Sequence, residues 1–114
     1  MRAPNDLLHG TLDVLILKTL TLGQLHGYDI SRRIETRSRD AFSVEDAALY
    51  KALSRLEAAG AVESSWGVSA SNRRAKFYRL TPSGRRLLTA EARTFRAYAE
   101  AVLLVLDGSP EAAT

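Results

Sequence analysis

The chain has 114 residues, no cysteine and a formal charge of +3 at pH 7. That length fits one domain with one modest core, and a hydrophobic share of 46% excludes global disorder. The lack of cysteine excludes disulfides, thiolate metal sites and a cysteine nucleophile, and suits a reducing cytoplasm.

The apolar run at residues 14–17 is too short to span a bilayer, and the start of the chain lacks the pattern of an export signal. The chain is therefore expected to be neither membrane-embedded nor exported. Thirteen of its sixteen basic residues are arginine, whose planar fork suits phosphates and guanine edges. Codon usage in a GC-rich genome would give the same bias, so placement along the chain has to decide.

The first periodic segment is residues 7–22, where Leu12, Val14, Leu15, Ile16, Leu17 and Leu20 form an apolar face wide enough for a largely buried helix. Gly23 follows as a helix stop. A loop at 24–27 leads to a second helix at 28–37, with Tyr28, Ile30 and Ile34 turned inward and Asp29 paired with Arg33 on the surface. A third helix, 44–59, begins after Ser43: Ser43-Val44-Glu45-Asp46 resembles a capping box, with acidic side chains in the positive first turn. Leu49, Ala52, Leu53 and Leu56 make its apolar face; Tyr50, Lys51, Ser54 and Arg55 lie opposite, and Gly60 ends it.

Two strands follow, at 62–66 and 76–80. Trp66 is placed with Val62 and Ser64 as a cover for the core, and Tyr78 and Leu80 face the same interior. Between the strands, residues 67–74 form a polar, flexible turn bearing Arg73 and Arg74. Thr81 and Pro82 are the N-cap and first residue of a final helix reaching about residue 106. Along it, Leu88, Ala92, Phe95, Ala99, Val102 and Leu106 alternate in steps of four and three. This is the seam of a helix that packs lengthwise on another helix, and it predicts a homodimer. Residues 109–114 are expected to fray.

Helix, helix, helix, strand, basic turn, strand is the plan of a winged helix-turn-helix. The expected fold is mainly α with a small β-hairpin: a DNA-binding domain over 1–81 and a C-terminal dimerisation helix over 82–108. In such domains the second helix of the motif enters the major groove. Ala48, Tyr50, Lys51, Ser54 and Arg55 are the candidate DNA-binding residues of that helix. Asn72, Arg73, Arg74 and Lys76 are those of the wing, suited to the backbone or minor groove. The implied partner is double-stranded DNA, on which a two-fold dimer would place its two reading helices at half-sites about one helical turn, ~34 Å, apart.

Two other classes compete. An enzyme would have to be built on His9 or His26; His26 lies near Asp29, but no nucleophile converges on the pair, so no catalytic, metal or cofactor residue is assigned. A winged module can also bind protein or RNA, although RNA readers usually display stacking aromatics and only Tyr50 is expected exposed on the reading face. Trp66, Phe95 and Tyr98 are the candidates for a small-molecule effector pocket. Phe95 falls on the seam and Trp66 at a strand end, both packing positions, so no effector is assigned from the residues.

Four ordered stretches carry a family resemblance: Gly10-Thr11-Leu12-Asp13-Val14-Leu15-Ile16-Leu17; His26-Gly27-Tyr28-Asp29-Ile30; Ala48-Leu49-Tyr50-Lys51-Ala52-Leu53-Ser54-Arg55-Leu56-Glu57 with Gly60; and Asn72-Arg73-Arg74-Ala75-Lys76-Phe77-Tyr78-Arg79-Leu80-Thr81-Pro82-Ser83-Gly84. Together they resemble the PadR family of bacterial transcriptional regulators, in its short form with one C-terminal helix. The resemblance implies a dimer held by those helices, an operator that is roughly palindromic, and repression relieved by a small molecule, often aromatic or antimicrobial, or control of a neighbouring transport operon. The family commonly has proline where this chain has Lys51, and glycine and serine at Ala47 and Ala48. These departures fall in the reading helix and bear on which operator is read.

Overall fold

The computed structural model describes residues 10–108. Helix α1 (Thr11–Thr19) tightens into a 3-10 turn at Leu20–Leu22, followed by β1 (Leu25–His26), α2 (Gly27–Arg37), α3 (Asp46–Ala58), β2 (Val62–Val68), β3 (Arg74–Leu80) and α4 (Pro82–Asp107). The first helix starts later than the apolar pattern predicts, because Gly10 takes a φ of 83° immediately before it; residues 7–9, and His9 with them, lie outside the described residues. Ile16, Leu17 and Leu20 are buried, and Leu12 and Leu15 pack against them. The buried Thr19 hydroxyl donates to the Leu15 carbonyl at 2.7 Å, which satisfies it within the helix.

Helix α2 departs from expectation at its start. His26 is its N-cap, and the imidazole Nδ1 accepts the Asp29 N–H at 3.3 Å. Asp29 lies 3.5 Å from Nε2 of the same ring, so its partner is His26 and not Arg33. Ile30 and Ile34 enter the core as expected, but Tyr28 is 64% exposed. As the second residue of the helix it lies on the flank away from Ile30 and Ile34.

The turn into α3 is longer than the capping pattern predicts. Val44 is drawn into the core, and its N–H donates to Glu35 Oε2 at 3.1 Å. Glu45 after it is extended (φ −74°, ψ 144°), so the helix has not begun there and Ser43 is not the cap. The helix starts at Asp46 with Glu45 in the capping position. Leu49, Ala52, Leu53 and Leu56 then bury one face, and Gly60 ends the helix with a φ of 77°.

The sheet is antiparallel in the order β1-β3-β2. Val62 pairs with Leu80, Ser64 with Tyr78, Trp66 with Lys76 and Val68 with Arg74, so these eight residues share one face. Pairing continues two residues beyond the expected strand ends, and the turn shrinks to residues 69–73. It is closed by Ser69 N–H to Arg73 O at 2.8 Å and Asn72 N–H to Ser69 O at 2.9 Å, with Asn72 left-handed at φ 62°. This is a short hairpin loop with its own hydrogen bonds. Strand β1, not expected from sequence, adds two residues opposite Tyr78 and Phe77.

Helix α4 is fastened at its origin. The Thr81 hydroxyl accepts the Gly84 N–H at 2.9 Å and lies 2.7 Å and 3.0 Å from the carbonyl oxygens of Gly60 and Ala61. Its N–H also reaches Ala61 O at 3.1 Å. Pro82 follows at the first helical position, where its missing N–H leaves no bond unmade. Gly84 is buried because a Cβ there would overlap the Ala61 carbonyl and lie 2.8 Å from Leu80 Cδ1. Leu87 and Leu88 pack on the core, and the helix then runs along α1 and beyond it, giving the molecule a long dimension of 61 Å. From Glu100 to Gly108 every residue is exposed.

Candidate nucleic-acid interface

Burial of Leu49, Ala52, Leu53 and Leu56 decides what the rest of α3 can do. Ala48, Tyr50, Lys51, Ser54 and Arg55 are all left exposed. Across from them, Asn72, Arg73 and Arg74 are exposed on the wing, while Lys76 is half-buried nearer the core. One cleft is walled by Tyr50 and Ser54 on one side and by Arg73, Arg74 and Lys76 on the other. The structure thus brings five of the nine sequence-selected residues together. Ala48 and Lys51 lie on α3 outside this cleft, and Asn72 sits at the wing turn.

Arg55 is turned away from the cleft: its guanidinium donates to Asp13 Oδ1 on α1 at 2.8 Å. Lys76 lies 3.8 Å from Glu57, whose carboxylate also accepts the Ser64 hydroxyl at 2.5 Å. Among the described residues Lys51, Arg73 and Arg74 form no ion pair with a carboxylate, which leaves their charge available. Beneath the wing, burial pushes the Tyr78 phenol above its ordinary pKa of 10.0, and the neighbouring Glu57 carboxylate and then Tyr50 add to the shift.

The floor of the cleft is made by the start of α2. Gly27 is buried there because the Tyr50 ring lies where a Cβ would be, 2.7 Å from its Cζ. This close approach seats the Tyr50 ring against the first residue of α2. Two further residues face the cleft that sequence reasoning assigned to the core, Tyr28 and Trp66. Trp66 is 60% exposed, with the Arg74 guanidinium 4.5 Å from its ring centroid. It shares a face with Val62 and Tyr78, but the helices beneath the hairpin reach only as far as the Ser64–Tyr78 pair. Alternation alone identifies the face and not where its cover ends. Phe95 and Tyr98 lie away from this cleft, on α4 against Gly10, Thr11 and Val14.

Three helices, a two-stranded wing and a cation-bearing cleft between wing and third helix define a winged helix-turn-helix protein. The chain belongs to the PadR-like family of transcriptional regulators, whose family model matches residues 16–90. It is 29% identical over 104 residues to an uncharacterised protein of Lysinibacillus sphaericus, covering 91% of this chain and 95% of that one. It is similar to a PadR family transcription regulator from Clostridium difficile, at 28% identity, with 87% of this chain and 100% of that chain covered and a TM-score of 0.69. It also resembles Bacillus subtilis PadR solved in complex with operator DNA, at 27% identity and a TM-score of 0.63. That alignment covers 71% of this chain and 46% of the other, so this chain spans about half of that regulator's length.

Proposed function

We propose that this protein is a sequence-specific DNA-binding regulator acting as a dimeric repressor. In this reading α3 enters the major groove and the wing rests on the adjacent backbone. The observation that carries it is the cleft in which Tyr50 and Ser54 of α3 face Arg73 and Arg74 of the wing. Such an arrangement lets one domain read base edges and hold phosphates together. The Bacillus subtilis relative, which was solved on operator DNA, supports the same partner here. Lys51 and Ser54 are the residues assigned to sequence choice, with Ala48 leaving room for close approach. Asn72, Arg73, Arg74 and Lys76 are assigned to affinity, and Arg55 joins them once Asp13 releases it.

Dimerisation is assigned to α4 through Ala92, Phe95, Ala99, Val102 and Leu106; Leu88, the first position of the expected seam, is already partly buried against the core of its own domain. The support is its exposed apolar end, where Leu103, Leu104, Val105 and Leu106 are between 54% and 84% exposed. A helix apolar around its circumference is a helix to be buried. Repression, its relief by a small molecule and the neighbourhood of the regulated operon rest on the family resemblance.

A footprint on DNA upstream of the protein's own gene tests the reading. The wild type should protect one pseudo-palindromic site. Arg73→Ala/Arg74→Ala should weaken binding to all duplexes alike and make the dependence of log K on log salt shallower by roughly 2 per half-site. Lys51→Ala should change the preferred sequence as well as the affinity. If upstream duplex binds no better than random duplex, sequence-specific regulation is wrong; preferential binding of RNA or protein would favour the other winged-module functions.

A further inference from the structure

The cleft holds one arrangement that the division between a reading helix and a phosphate-holding wing leaves unused. Trp66, the single tryptophan of the chain, stands 60% exposed on the inner face of the wing. Tryptophan is highly buried on average, and an indole exposed in one cleft with Tyr28 and Tyr50 belongs to an aromatic patch of the kind that meets a partner. Across its face lies Arg74, at 4.5 Å from the centroid, whereas Arg55 and Arg79 are each held by a carboxylate, of Asp13 and Glu63. Trp66 pairs with Lys76 and Val68 with Arg74 across the strands, so the stack is a diagonal pair built on a paired ladder and not on the free turn. Both residues face Tyr28 and Tyr50 across the same cleft.

We propose that Trp66 and Arg74 act as one stacked unit on the DNA backbone. This inference rests on the DNA-binding reading above and names a contact within it. The indole holds the guanidinium plane by a cation–π contact, which leaves the charge undiminished, as a carboxylate partner would not. The N–H groups of Arg74 at the ring edge then meet a phosphate with little side-chain freedom left to lose. The exposed part of the indole lies against the neighbouring sugar and is shielded from water when DNA is bound. Trp66 is thus a positioning residue for Arg74, and the contact is independent of base sequence.

The tryptophan is its own reporter. Acrylamide quenching of its emission is measured with and without saturating fluorescein-labelled duplex, either upstream or random in sequence at low salt, while anisotropy of the label reports binding. Bound duplex should shift the emission and lower the quenching constant at least twofold. Trp66→Ala should weaken binding about tenfold, Trp66→Phe should restore most of the loss by supplying another aromatic face, and Trp66→Ala/Arg74→Ala should be weaker than Arg74→Ala alone by much less than tenfold, the small remainder being the indole's own contact with the sugar. Far-UV circular dichroism checks that each variant is folded, and the quenching measurement needs no variant at all. Binding with unchanged emission and quenching, or wild-type affinity in Trp66→Ala, overturns this inference and leaves the DNA-binding reading intact. A wild type that binds no duplex of any sequence overturns both.

Discussion

Val102→Asp should yield a monomer that no longer occupies its operator. Val102 is 38% exposed on the distal half of α4, where the chain's own domain covers little of the helix. An aspartate there costs the isolated protomer little, because its carboxylate can stay hydrated. In a two-fold dimer seam each substitution appears twice, and an unpaired buried charge is destabilising by about 3–5 kcal/mol. Sedimentation should show the dissociation constant rising by roughly a thousandfold or more, given about 1.4 kcal/mol for each factor of ten. Far-UV circular dichroism should report a folded chain. Operator affinity should fall with it, since each monomer keeps only one half-site's contacts. An intact dimer carrying this substitution would remove α4 from the interface.

The second large effect is expected at Gly84. An added methyl meets the Ala61 carbonyl, a backbone atom fixed by its bonds from Thr81, so neither side can yield without moving α4 off the end of β3. Overpacking of this kind costs about 3 kcal/mol, a large share of the roughly 5–15 kcal/mol that holds a small domain folded. Gly84→Ala should therefore lower the urea midpoint sharply. Ser83→Ala, at the exposed neighbouring position, should change stability by less than about 0.5 kcal/mol. Equal stability of the two variants would mean that α4 is not seated against Ala61.

Much of this fold is legible in the residues, and the failures share a cause. Leu49, Ala52, Leu53 and Leu56 mark the buried face of α3 because four positions at helical spacing outweigh local noise. Thr81-Pro82 marks the start of α4 because both residues act locally, through a side-chain oxygen and a fixed φ. Ser43 misleads because a capping sequence competes with a tertiary demand, the burial of Val44 and its bond to Glu35. Strand β1 is invisible because two residues cannot display an alternation. Tyr28 and Trp66 read as core from their places in the helix and strand patterns, yet the core ends before reaching either. In the cleft, Tyr50, Ser54, Arg73, Arg74 and Lys76 come together as the order of elements implies. The Arg55–Asp13 pair links positions 42 apart in sequence, and no local pattern announces it.

The Thr81 fastening has a mechanical meaning. Gly60 and Ala61 lie two and three residues beyond α3, and Thr81 immediately precedes α4, so its bonds tie the far end of one helix to the near end of the other. In the dimer proposed here, the two helices then turn together as a single lever. A 26-residue helix is roughly 39 Å long. Swinging such an arm by about 5° at its seam displaces the opposite end by roughly 3 Å, close to one base-pair step of about 3.4 Å. A small molecule that tilted the paired α4 helices would need no contact with DNA to take the reading helices out of register with their half-sites.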